Sequence, residues 1–90
     1  MPLFTIVMDY AGGTYIDQVD APSVNLACIK WAENLDSSQI YGIKNKRKEL
    51  LMREMQDASP VQLDGLVNAW CTSALVAGRL ALINIIKTER

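Results

Sequence analysis

Residues 3–8 read Leu-Phe-Thr-Ile-Val-Met, Ala11-Gly12-Gly13 follows shortly after, and residues 14–19 read Thr-Tyr-Ile-Asp-Gln-Val. Two runs of β-favouring side chains joined by residues that reach positive φ cheaply predict a β-hairpin at the start of the chain. Such a start commits everything downstream to packing on, or extending, an antiparallel ladder. Phe4, Ile6 and Met8 share one face of the first strand and Thr5 and Asp9 the other, so the first set is expected to point into the core. Val7 breaks the alternation, which suggests that the second face is not wholly wet.

Ala21-Pro22-Ser23 closes the hairpin, because proline resists continuing a ladder and Ser23 can cap the open amides of a helix. Val24, Ala27, Cys28, Trp31 and Leu35 then fall on one stripe at helical spacing, opposite Lys30 and Glu33, while Leu26 and Ile29 lie off it. Residues 44–57 consist almost wholly of strong helix formers, with Leu50, Leu51 and Met55 as expected anchors. Ile40 and Ile43 would allow this second helix to begin near Ser38. Ala58-Ser59-Pro60 stops it.

Beyond Gly65 the chain turns to Trp, Thr, Val and Ile, and we expect strands over 66–75 and 80–88 turning at Ala77-Gly78. A buried C-terminal helix is the rival, since residues 74–82 are rich in Ala and Leu; the Cβ-branched Thr72, Val76, Ile83, Ile85 and Ile86 favour strands. The expectation is therefore one α+β domain over residues 1–90. It has a four-stranded antiparallel sheet, two helices on one face and element order ββααββ. Placing the apolar strands in the middle gives strand order 2-1-4-3.

The strand, Gly12-Gly13, a strand beginning at Tyr15 and a helix near Ser23 together resemble, in topology and over about the first 35 residues, the start of the HicB-like antitoxin domain. That resemblance implies a small partner-binding module. Members of the family commonly add a DNA-binding segment, and nothing after residue 58 reads as one.

Composition narrows the chemistry. The chain has 90 residues, no histidine and a net charge of −1, so the usual general base and commonest metal ligand are missing. Cys28 and Cys71 sit in apolar contexts without CxxC spacing, and are expected to be buried small hydrophobes, not a disulfide, a zinc site or a catalytic thiol. No basic leader precedes Asp9 and no apolar run is long enough to span a bilayer, which points to a cytoplasmic chain with no membrane contact. No enzyme activity, cofactor or metal is expected.

Three surfaces are candidates. Lys44, Lys46, Arg47 and Lys48 form the one dense basic run, a possible contact for phosphate or an acidic partner, although a solvated helix face is the simpler reading and nucleic acid binding is not favoured in an acidic chain. Asp9, Asp17 and Asp20 could serve a small ligand or cation, against the simpler role of solvated turn residues. The last hairpin is apolar on both faces: one carries Trp70, Thr72, Ile83 and Ile85, the other Cys71, Leu75, Leu80, Leu82 and Ile86. One face must cover the helices. The other is left for a partner or for residues 36–43 or 58–64, and the set Trp70, Thr72, Ile83 and Ile85 is taken as the interaction surface of a homodimer. The leading function is a small interaction module, with a nucleic-acid-associated regulator and a carboxylate-based binder as alternatives.

Overall fold

The computed structural model describes residues 1–36 and 45–88. The elements are β1 (Leu3–Tyr10), β2 (Gly13–Asp20), α1 (Val24–Asn34), α2 (Asn45–Gln56), β3 (Val61–Gln62), β4 (Ala69–Val76) and β5 (Arg79–Thr88). The strands form one antiparallel sheet of order β2-β1-β5-β4-β3. Among the described residues five strands replace the expected four. The apolar β1 and β5 are neighbours near the centre of the sheet as anticipated, and β3 is added outside β4.

Both long hairpins close with two residues at positive φ, Ala11 (50°) with Gly12 (83°) and Ala77 (52°) with Gly78 (78°). Two such residues make the turn whose twist matches the flanking strands. The pairings Tyr10↔Gly13 and Val76↔Arg79 follow from those loops and fix the register of every rung.

Period-two geometry then sorts the side chains. Phe4, Ile6, Met8 and Tyr10 of β1, with Ala74, Val76, Ala81, Ile83 and Ile85 of the second hairpin, are buried on one face. The helices lie there, α1 against β1 and β2 and α2 against β4. Helix α1 starts where Ser23 accepts a hydrogen bond from the Leu26 amide at 3.2 Å, and buries Ala27, Cys28, Trp31 and Ala32. Helix α2 contributes Leu51 and Met55, whereas Leu50, also expected as an anchor, is 40% exposed. The proposed upstream start near Ser38 lies outside the described residues.

Tyr10 ties the two turns together: its hydroxyl donates to the Val76 carbonyl at 3.0 Å inside the core. The strand expected over 66–75 begins only at Ala69, because Gly65 (φ 75°) and Asn68 (φ 63°) turn the chain, with Leu66 N donating to Leu63 O at 3.1 Å. Among the described residues no helix is long and apolar enough to cross a membrane.

Candidate interaction surface

The side of the sheet away from the helices is built from the alternate residues of the same strands. Its middle rung runs Ile16, Val7, Asn84, Cys71, Val61. On one side lie the rungs Thr14, Asp9, Leu82, Ser73 and then Leu80, Leu75; on the other lie Gln18, Thr5, Ile86, Ala69. No described helix packs on this face. Ile16, Val61, Leu75, Leu80, Leu82 and Ile86 leave between 45% and 65% of their surface in water. Antiparallel sheets that face solvent usually alternate apolar with polar or charged residues. Here the strands carry only Asp9 and Asp20 as charges on that side, and no lysine or arginine.

The polar groups of the face largely satisfy one another. Thr14 Oγ1 donates to Asp9 Oδ1 at 2.6 Å, Gln18 Nε2 donates to Thr5 Oγ1 at 3.1 Å, and the Thr5 and Thr88 hydroxyls lie 2.6 Å apart. Covering them therefore costs less than covering free donors and acceptors.

This arrangement corrects the sequence-based choice of surface. Trp70, Thr72, Ile83 and Ile85 point toward the helices: Ile83 and Ile85 are buried, and Trp70 packs at the margin of the core against Phe4. The open face is the opposite one of the same hairpin. Nor do residues 58–64 lie across it. Val61 and Gln62 pair edge to edge with Cys71 and Trp70, and Leu63 N donates to Ala69 O at 2.9 Å, so this segment widens the sheet instead. Residues 37–43 lie outside the described residues.

The other candidates are also placed. Lys44 lies outside the described residues; Lys46 and Arg47 are exposed and Lys48 half-buried at the start of α2, on the helical side of the molecule. Asp9, Asp17 and Asp20 do not converge. Asp9 and Asp20 sit at opposite ends of the first hairpin on the open face, and Asp17 is on the helix side. Asp17 instead borders, with Tyr15, Asn34 and Asp36, an open cleft of about 410 Å³ between β2 and the end of α1. Among the described residues no three His, Cys, Asp or Glu side chains come together as a metal site. Both cysteines are free: Cys28 is fully buried, and burial pushes its thiol up to about 11, whereas Cys71 is half-buried on the open face.

Fold and surface together describe an α+β domain whose antiparallel sheet is covered, among the described residues, on one side only. No protein family, curated protein or solved structure matches the chain.

Proposed function

We propose that the protein is a small, non-catalytic interaction module that works by presenting the open face of its sheet to another protein surface and is itself a homo-oligomer. The observation that carries this reading is the run of half-exposed Leu, Ile and Val side chains on a face whose described strand residues include no cation. Monomeric proteins seldom leave an apolar patch of more than a few hundred Å² in water, and the cores of protein interfaces are depleted of charge in the same way. Two free thiols, one of them inert by burial, fit a reducing compartment, and we place the module in the cytoplasm.

Lysine at positions 80 and 82 tests the reading. Leu82 is cross-strand neighbour to Asp9, so a lysine there finds an acidic partner without disturbing the core. The double substitution should leave the melting temperature of the monomer within a few degrees of the parent and abolish binding of an apolar dye and any association. Unchanged dye binding and unchanged association contradict the reading.

A further inference from the structure

We infer that the occupant of the open face is a second copy of this chain, docked sheet face to sheet face with Asn84 of each copy at the two-fold axis; the inference rests on the interaction reading above and names its partner. Several features separate this mode from strand addition. Exposed edges are where sheets usually join, and here each end of the sheet is guarded in part, since β3 covers Trp70 and Cys71 of β4 and leaves residues 72–76 of that strand unpaired. At one edge β3 has two residues and follows Pro60. At the other, β2 carries Asp17, Gln18 and Asp20, with Asp17 turned toward the helix side.

The area is also adequate. The six most exposed apolar side chains of the face present roughly 600 Å² of accessible surface, and the half-buried residues between them bring the face close to the ~800 Å² that each partner gives to a standard interface. The match between two copies is apolar and not one of charge: the carboxylates that the strands carry on this face, Asp9 and Asp20, lie off the middle rung, and Asp9 accepts a hydrogen bond from Thr14.

Asn84 locates the axis. It stands on β5, the third of five strands, and on the middle rung of the face, flanked by Val7 and Cys71. Its side-chain amide makes no hydrogen bond among the described residues. An unpaired amide at the centre of a covered apolar face costs stability. Two such amides meeting across a two-fold satisfy each other, donor to acceptor in both directions. A single polar residue buried in this way fixes register and copy number.

Sedimentation equilibrium of the full chain, with Asn84→Asp, Asn84→Leu and Gln18→Asp, tests the inference. The parent should sediment at twice the 10.0 kDa chain mass at micromolar concentration. Asn84→Asp brings two carboxylates together at the axis and should weaken association at least tenfold. Gln18→Asp, the same chemistry at the rim, should change it little, and Asn84→Leu should keep or tighten association while losing the single discrete size. Equal weakening by the two Asp variants overturns the central position of Asn84. Slowed amide exchange over residues 13–20 or 72–76 on assembly, with Asn84→Asp silent, overturns face docking in favour of strand addition. A parent that stays monomeric yet binds an apolar dye overturns the second copy and the homo-oligomer and spares the open face as an interaction surface; one that is monomeric and binds no dye overturns all three.

Discussion

The rings of Phe4 and Trp70 meet with their centroids 6.1 Å apart and their planes at 59°, on the helix side of the sheet. The pair joins β1 to β4 across β5 and closes one margin of the core. This tilted approach is favourable for aromatic quadrupoles and adds to the apolar burial.

Because Trp70 faces inward, Trp70→Ala should act on folding and not on assembly. We expect a loss of about 3 kcal/mol, at the low end for a large aromatic because the ring is only half-buried. Chemical denaturation at two protein concentrations checks this. The same loss should appear at both, with association of the folded fraction intact; a folded monomer that no longer associates would place Trp70 at the interface.

Much of this architecture was legible in the sequence, and the misses have identifiable causes. Ser23, the Ala27-Cys28-Trp31 stripe and the Phe4-Ile6-Met8 face could be read because cap, helical period and strand period each act locally. Sequence alone does not separate the two faces of the last hairpin, because both are apolar and only the position of the helices tells Ile83 from Leu82. That depends on packing between distant segments. β3, at two residues, is too short to give a strand signal of its own, although Val61-Gln62-Leu63 alternates and Asp64-Gly65 is a favoured hairpin dipeptide that marks the turn into β4. Leu66 and Val67 imitated the start of a strand, while Asn68 at φ 63° delays it to Ala69.

The turns offer a gain in stability. Ala77 holds a left-handed conformation (φ 52°) that costs an alanine free energy and that asparagine tolerates. Ala77→Asn creates Asn-Gly at the tip of β4–β5 and should stabilise the protein by about 0.5–1 kcal/mol. Ala77→Val should destabilise it by at least as much. Thermal melts that rank the two variants in the opposite order contradict the turn geometry.

Cys28 makes a pH prediction with a definite sign. Its thiol ionises near 9 when free and at about 11 when folded, because burial disfavours the thiolate. Above pH 9 the unfolded chain loses the proton first, so stability should fall as pH rises from 9 toward 11, by about 2 kcal/mol across the window. Cys28→Ala should remove that component and leave the slope due to other groups, whereas Cys71→Ser should not. Identical alkaline slopes in the parent and Cys28→Ala contradict the burial.

Whether the open face is covered in solution is read most directly by Cys71, which lies between Asn84 and Val61 on that face. The measurement is the rate of thiol labelling of native protein against protein concentration, with the deeply buried Cys28 silent until the chain unfolds. If the face is a docking surface for a second copy, Cys71 should label quickly in dilute protein, slow severalfold as concentration rises through the association range, and label quickly at every concentration in Leu82→Lys. Labelling that is equally fast in dilute and concentrated parent protein would contradict the account.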